Sequence, residues 1–318
     1  MHGRHTASLS RSRDTGIRVE SISKQYGDTP VLGDVTFTAE PGRVTGFLGP
    51  NGAGKSTTMR IIVGLTQASS GSATVGGRRF SELPNPGRVV GVLLDASAQH
   101  AGRTGRGVLT VARRTMGLPT GRVDQLLELV GLSTKEADRR VRDYSLGMRQ
   151  RLGIGVALLG DPDVLILDEP ANGLDPGGMR WMRDLLRGFA DRGGTVLLSS
   201  HLLHEIEMIA DDLVVIGNGR IVARGAKSDL LRAAGTEVRS SRGSGLTQAL
   251  ERHGLTVRAT GDGALRVDAD PSTVGEVALA AGVPLTELRS SEGGGLEEMF
   301  LELTADDARD HHLERTEA

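Results

Sequence analysis

The sequence contains no cysteine, which excludes disulfides and metal sites built from thiolates. This absence fits a reducing compartment. Aromatic residues are also scarce, at 3% of the chain, although 38% of the residues are hydrophobic. The core of the protein must therefore be packed mainly from valine, leucine, isoleucine and alanine.

Long apolar runs and a strong excess of charge are missing as well. No run approaches the roughly 18 residues that a membrane-spanning helix needs. Residues 1–15 lack the apolar stretch of a signal peptide, so residues 1–16 are expected to form a disordered extension. A net charge of −2 gives no reason to expect a nucleic-acid partner. We expect a cytoplasmic protein that is soluble or peripheral to the membrane.

One stretch of the chain combines glycines, a lysine and a serine at the spacing of a phosphate-binding loop. It matches G-x-x-x-x-G-K-[ST] and consists of Gly49, Pro50, Asn51, Gly52, Ala53, Gly54, Lys55, Ser56 and Thr57. A predicted strand at 43–48 precedes it, and residues 58–65 follow with helical spacing. Glycines let successive N–H groups curl around a phosphate, and a helix N-terminus adds partial positive charge. Lys55 is placed for the β- and γ-phosphates and Ser56 for Mg²⁺, which predicts an ATP or GTP site.

Two neighbouring carboxylates, Asp168 and Glu169, follow the apolar run Val164–Leu167, which predicts a central parallel strand. They therefore emerge at the C-terminal end of a strand, where open parallel sheets bind ligands. Asp168 is expected to hold Mg²⁺ through water, and Glu169 to be the general base for the attacking water. His201 follows another apolar run, Thr195–Ser200, and is a candidate sensor of the γ-phosphate.

The order of predicted elements divides the chain into regions. Short alternating strands before the phosphate loop, with a turn at residues 27–30, predict an antiparallel β-subdomain. A helical insertion at about residues 97–160 interrupts an α/β core. Two strands joined through residues 217–219 predict a hairpin. Together these features predict a nucleotide-binding domain at residues 17–231.

Residues 236–305 predict a second, smaller domain. Its strands and helices alternate at residues 237–240, 246–253, 255–260, 264–268, 272–281 and 284–290. The order β-α-β-β-α-β, with an additional helix at 296–304, indicates a ferredoxin-like accessory domain. Residues 306–318 are expected to form a charged tail.

Six motifs in a fixed order make the chain similar to the ATP-binding subunits of ABC transporters across residues 17–231. The phosphate loop is Walker A in that family, and residues 165–169 are Walker B. His201 resembles the switch histidine, and Tyr26 falls at the aromatic position that stacks on adenine. The resemblance implies an α/β fold of the P-loop NTPase class, with a RecA-like core, an antiparallel β-subdomain and a helical subdomain.

The signature motif follows the family with changes, and a D-loop motif comes after it. The sequence YSLGM at residues 144–148 takes the place of the family's LSGGQ. Leu146 stands where that motif has its first glycine, while Ser145 and Gly147 remain, so a hydroxyl and helix-start N–H groups are still offered to a γ-phosphate. Asp175 ends the segment 172–175, which resembles the D-loop. We expect these changes to slow or otherwise alter the rate of ATP turnover, not to abolish it.

Asp95 marks a second departure from the family. A glutamine at this position contacts Mg²⁺ and touches the membrane partner in the family. Aspartate can still bind Mg²⁺ or its water, but it reaches less far and adds negative charge beside the phosphates. The alternative is that Asp95 is a structural turn residue.

The resemblance implies ATP and Mg²⁺ as cofactors and two kinds of protein partner. One is a second nucleotide-binding domain, most simply in a homodimer, with ATP held between the Walker A loop of one chain and Ser145–Gly147 of the other. The second is a separate transmembrane permease subunit, contacted through the helical insertion and the loop at Asp95. The protein would then act as an ATPase on the inner face of the cell membrane.

The signature segment and residues 296–301 resemble bacterial drug and peptide-antibiotic exporters of the daunorubicin- and bacitracin-resistance type. This implies export of a drug, antibiotic or lipid-like compound. Two alternatives stay open at this point. One is a soluble ABC ATPase that acts on ribosomes or DNA, and the other is a regulatory nucleotide-binding module with little turnover.

Overall fold

Three sheets are present in the computed structural model, which describes residues 15–200, 203–232, 235–241, 243–260 and 263–290. Numbered in chain order, the strands are β1 Ile17–Tyr26, β2 Thr29–Ala39, β3 Val44–Leu48, β4 Ser70–Val75, β5 Val90–Leu93, β6 Val164–Leu167, β7 Thr195–Ser200, β8 Asp212–Gly217, β9 Arg220–Ala226, β10 Thr236–Ser240, β11 Val257–Ala259, β12 Leu265–Val267 and β13 Leu285–Ser290.

Ten α-helices are present in the described residues. They are α1 Lys55–Ile62, α2 Gly105–Thr115, α3 Arg122–Leu129, α4 Thr134–Ala137, α5 Leu146–Leu158, α6 Pro176–Asp191, α7 Leu203–Ile209, α8 Lys227–Arg232, α9 Gly243–Arg252 and α10 Pro271–Ala280. Within the described ranges, no helix combines the length and the apolar character that crossing a bilayer requires. Most of the predicted N-terminal extension, the helix at 296–304 and the charged tail lie outside the described residues.

A largely parallel sheet in the order β5-β6-β7-β3-β8-β9 carries the phosphate loop. Strand β9 pairs antiparallel with β8, and the other pairs are parallel. Every residue of β6 is buried, with Leu165 and Leu167 in one hydrophobic cluster and Val164 and Ile166 in another. Because both faces of the sheet are covered, a central strand needs a continuous apolar run, as the sequence predicts.

The second sheet, β2-β1-β4, is antiparallel throughout. The predicted turn at residues 27–30 is too long by two residues. Strand β2 already begins at Thr29, and Pro30 pairs with Gln25 of β1. Pro30 lies near the start of an edge strand, where the missing N–H removes little from the ladder.

Helix α1 begins at Lys55, inside the phosphate-binding motif, whereas the helical spacing predicted a start at residue 58. Its first turn contributes no apolar residue to that spacing, since the buried apolar side chains begin at Met59. The helix ends at Ile62, and Gly64 follows with a φ of 69°. Lys55 and Ser56 are thus residues of a helix N-terminus, the position that favours anion binding.

The C-terminal elements follow the order β-α-β-β-α-β, from β10 to β13. Their strands form an antiparallel sheet in the order β11-β12-β10-β13. Side chains of α9 and α10 share one hydrophobic cluster with the sheet; its most buried members include Val238, Leu246, Leu250 and Val274. This element order is the one that the sequence predicts for a ferredoxin-like unit.

Asp211 joins the start of β3 to helix α6. Its Oδ2 accepts hydrogen bonds from the N–H of Val44 at 2.9 Å and from Arg187 Nη1 at 2.7 Å. Burial by itself raises the pKa of Asp211, but the bonds from Val44 and Arg187 outweigh it, and the pKa lies below its ordinary value of 3.8. The folded state therefore favours the ionised carboxylate.

Replacement of Asp211 by Asn is expected to lower the free energy of unfolding at pH 7 by about 1–3 kcal/mol, because it removes a charged acceptor. A lowered carboxyl pKa stabilises the fold above roughly pH 4, and this contribution is lost as the pH falls through the folded-state pKa. Urea unfolding between pH 3 and pH 7 should thus show wild type and variant converging at the acid end. Asp191→Asn, which removes the more exposed partner of Arg187, serves as the control. Parallel pH profiles for wild type and Asp211→Asn would contradict this assignment.

Candidate functional site

The phosphate loop turns sharply between the end of β3 and the start of α1. Gly54 has a φ of 106°, a left-handed conformation that other residues rarely adopt. A Cβ added at Gly49 would lie 2.5 Å from the carbonyl oxygen of Ile216, so β8 leaves no room for a side chain there. These two glycines allow the backbone to curl at the end of the strand, with its N–H groups available to a phosphate.

Lys55 lies inside this loop and is only 7% exposed. Its Nζ donates hydrogen bonds to the carbonyl oxygens of Gly49 at 2.5 Å and Pro50 at 3.1 Å. Burial lowers the pKa of Lys55, and the carboxylates of Glu169 and Asp168 partly oppose this shift. The loop thus holds a partly desolvated ammonium group close to two acidic side chains.

Ser56, Asp168 and Ser199 form one hydrogen-bonded chain between α1, β6 and β7. The hydroxyl of Ser56 donates to Asp168 Oδ2 at 2.6 Å, and the hydroxyl of Ser199 donates to Asp168 Oδ1. Ser199 Oγ in turn accepts a hydrogen bond from the N–H of Glu169 at 2.9 Å. A serine hydroxyl beside a carboxylate offers the hard oxygen ligands that Mg²⁺ prefers, so these residues fit that ion.

The described residues contain no group of three or more His, Asp and Glu side chains able to hold a metal ion. Ser56 and Asp168 therefore provide only part of a coordination shell. Mg²⁺ in proteins commonly uses one or two carboxylates together with substrate phosphates and water. Ser56 and Asp168 fit a site of this kind, in which phosphate and water oxygens would complete the coordination of Mg²⁺.

A cavity of about 390 Å³ opens in front of these groups. Twelve of the described residues that line it come from the phosphate loop, the end of β6 and the Asp95 loop: Asn51, Gly52, Gly54, Lys55, Ser56, Thr57, Leu94, Asp95, Ala96, Ser97, Asp168 and Glu169. Leu146, Gln150 and Asn172 are among the other lining residues. Cationic, hydroxyl and carboxylate groups therefore converge on one space at the C-terminal ends of parallel strands.

Glu169 has an unusual backbone conformation, with a φ of 50°. Its N–H donates to Ser199, and its carbonyl oxygen accepts a hydrogen bond from Gln150 Nε2 at 3.0 Å. A residue with a side chain adopts this left-handed region only where its surroundings hold it there. Both peptide groups next to Glu169 are fixed by side chains of neighbouring elements.

Asp95 lines the cavity and also caps a short 3₁₀ turn, Ala96–Ala98. Its Oδ1 accepts a hydrogen bond from the N–H of Ser97 at 2.6 Å. Asp95 is therefore a structural turn residue that also lies beside the phosphate loop. The assignment of Asp95 as a ligand of Mg²⁺ stays a prediction.

Other predicted site residues lie apart from this cavity. Tyr26 is 52% exposed, and the Nζ of Lys24 lies 4.6 Å from its ring centroid. Ser145 caps α5 by accepting a hydrogen bond from the N–H of Met148 at 3.2 Å. Neither Tyr26 nor Ser145 is among the described residues that line the cavity.

The D-loop segment is likewise positioned by local contacts. Asp175 caps α6, since its Oδ1 accepts a hydrogen bond from the N–H of Gly178 at 2.8 Å. A Cβ added at Gly147 would lie 2.7 Å from the carbonyl oxygen of Gly173, which brings the first turn of α5 against this segment. His201 lies outside the described residues, and its role stays a prediction.

Sequence reasoning missed two residues of the site, Ser199 and Gln150. Both are buried polar side chains, at 0% and 4% exposure. Ser199 stands in the strand β7, whose residues are all buried. A polar residue inside a run that must be buried is the signal that marks such positions, because buried polar groups need hydrogen-bond partners.

Comparison with known proteins connects this geometry to a family. Residues 32–172 match the family model described as ABC transporter. Residues 232–297 match a model described as a domain of unknown function, DUF8746. The solved structure of an ATP-binding subunit of an ABC transporter superposes with a TM-score of 0.63 at 30% identity, covering 68% of this chain and 92% of that one. The predicted P-loop NTPase fold is confirmed.

Curated relatives extend the match over most of the chain. The bacitracin transport ATP-binding protein BcrA of Enterococcus faecalis is 35% identical over 296 residues, covering 90% of this chain and 96% of that protein. The lantibiotic transport ATP-binding protein SrtF of Streptococcus pyogenes is 36% identical over 206 residues, covering 65% of this chain and 89% of that protein. The chain therefore belongs to the ATP-binding proteins of ABC transporters.

Proposed function

We propose that this protein hydrolyses ATP to drive a separate membrane subunit that exports a drug, a peptide antibiotic or a lipid-like compound. One observation carries the catalytic part of this proposal. Lys55, Ser56, Asp168 and Glu169 converge on a single cavity at the end of a helix and two parallel strands. These are the groups that phosphoryl transfer needs for charge stabilisation and for activation of water.

Each residue has a definite task in the proposed reaction. The loop N–H groups and Lys55 bind the β- and γ-phosphates. Glu169 accepts a proton from water as the water oxygen attacks the γ-phosphorus, and the bond to the bridging oxygen breaks to leave ADP. Mg²⁺, when bound, would neutralise phosphate charge between Ser56 and, through water, Asp168. The adenine ring would stack on Tyr26, and His201 would contact the γ-phosphate.

The site is proposed to be complete only in a dimer. Ser145 and Gly147 lie at the start of α5 and, unlike Leu146 between them, are not among the described residues that line the cavity of this chain's own Lys55. The first N–H groups of a helix attract anions, and here they are offered to a second copy of the chain. Two copies arranged head to tail would each close the nucleotide site of the other, with Asp175 near the junction.

Export is proposed from the two relatives whose names state transport of bacitracin and of a lantibiotic. On this view the protein works on the inner face of the cell membrane. A transmembrane permease subunit would contact the helical insertion and the Asp95 loop. Neither a nucleic-acid partner nor a ribosome is part of the proposal.

A pull-down from detergent-solubilised membranes tests this function. The tagged full chain is expected to retain a polytopic membrane protein, and the complex to hydrolyse Mg²⁺-ATP faster than the chain alone. Retention of ribosomes or DNA instead would favour a soluble ABC ATPase. A membrane complex that binds ATP without turnover would indicate a regulatory module. Either result contradicts the proposal.

A further inference from the structure

Gln150 is a buried side chain of α5 that the proposed reaction does not yet use. It lies one turn after Leu146, the first residue of the helix, and is 4% exposed. Its Nε2 donates a hydrogen bond to the carbonyl oxygen of Glu169 at 3.0 Å. The contact connects α5 directly to the backbone of the proposed general base.

This contact also fixes the orientation of the Gln150 amide. A carbonyl oxygen only accepts hydrogen bonds, so the nitrogen of the amide must face Glu169 and Oε1 must face the other way. Oε1 is buried, and no residue in the described part of the chain donates a hydrogen bond to it. Gln150 lines the same cavity as Lys55 and Ser56.

The backbone of Glu169 gives this contact its importance. With a φ of 50°, the residue holds a conformation that needs outside support. Ser199 binds its N–H from one side and Gln150 binds its carbonyl oxygen from the other. The N–H of Asn172 also donates to this carbonyl oxygen, at 3.2 Å. Together these bonds fix both peptide planes at Glu169, and hence the direction in which its side chain leaves the backbone.

We propose that Gln150 is a positioning residue for hydrolysis, an inference that rests on the proposed function. Its Nε2 holds the Glu169 backbone so that the carboxylate faces the attacking water. Loss of the amide leaves ATP binding intact, because the phosphates are bound by other groups, and it reduces the rate of the chemical step.

The test compares Gln150→Met with wild type in the full chain, alone and together with its membrane subunit. Methionine has a similar length but no amide, so the space stays filled while the hydrogen bond to the Glu169 carbonyl oxygen is lost. We expect kcat to fall about 10- to 100-fold, as for a misplaced catalytic group, with the dissociation constant of ATP changed less than about threefold. Gln125→Met makes the same change on the exposed side of α3 and should leave kcat unaltered.

The outcomes separate this inference from the proposed function. Hydrolysis by wild type together with an unchanged kcat in Gln150→Met overturns the role of Gln150 alone. An equal loss of ATP binding and of thermal stability would also overturn it, since Gln150 would then be a structural residue. Absence of hydrolysis in wild type, even with the membrane subunit, removes the proposed function and this inference together.

Discussion

The Glu169→Gln variant is expected to bind ATP with wild-type affinity and to hydrolyse it about 10²- to 10⁴-fold more slowly, the range for loss of a general base. The substitution keeps the shape of the side chain and removes its ability to accept a proton. Its backbone contacts with Ser199 and Gln150 do not involve the carboxylate, so the turn at Glu169 should be preserved. Single-turnover hydrolysis and equilibrium ATP binding measure the two effects separately.

The same variant should accumulate as an ATP-bound dimer, because the γ-phosphate that joins the two half-sites is not removed. Gel filtration with Mg²⁺-ATP should therefore show a dimer for Glu169→Gln and mainly monomer for wild type. Adding Ser145→Ala to the variant removes the hydroxyl at the start of α5 and should weaken that dimer. Asp184→Asn, on an exposed part of α6, provides a carboxylate control that should retain turnover. Wild-type turnover in Glu169→Gln would exclude this residue as the base.

The sequence was sufficient for the phosphate loop because that chemistry depends on one continuous segment. Gly49, Gly54, Lys55 and Ser56 are separated by fixed short distances along the chain, and the flanking strand and helix supply the context. Asp168 and Glu169 could also be predicted from the sequence, because the buried apolar strand before them places both at the edge of the sheet where its strands end. Their placement around one cavity follows from the parallel order of β3, β7 and β6.

The residues that hold Glu169 in place could not be predicted from the sequence, because their contacts join distant segments of the chain. Gln150 and Ser199 meet Glu169 across 19 and 30 residues of sequence, and no periodicity predicts which buried polar groups will find each other. The predicted start of α1 was also wrong. The first turn of this helix is polar, so it adds nothing to the apolar spacing from which helices are predicted. Local chemistry is readable from sequence, whereas contacts between elements require the fold.

Lys55→Ala is expected to weaken ATP binding by about 10- to 100-fold, the loss of one hydrogen bond to a charged group in a desolvated position. The ammonium is buried in the loop beside the carbonyl oxygens of Gly49 and Pro50. Burial lowers the pKa of Lys55, which marks the poor solvation that makes its charge effective toward a phosphate. Turnover should fall with binding, since the same charge stabilises the transferring phosphoryl group.

Titration of ATP, ADP and AMP into Lys55→Ala identifies which phosphates the lysine binds. Affinity for ATP and ADP should fall strongly and affinity for AMP hardly at all, because AMP lacks the β- and γ-phosphates. Arg60→Ala removes an exposed cation from the same helix and is the matched control, with little expected effect on any of the three nucleotides. A uniform loss across all three, accompanied by a lower melting temperature, would mean that Lys55 chiefly holds the loop together. The contacts that it makes with the carbonyl oxygens of Gly49 and Pro50 would then be its main role.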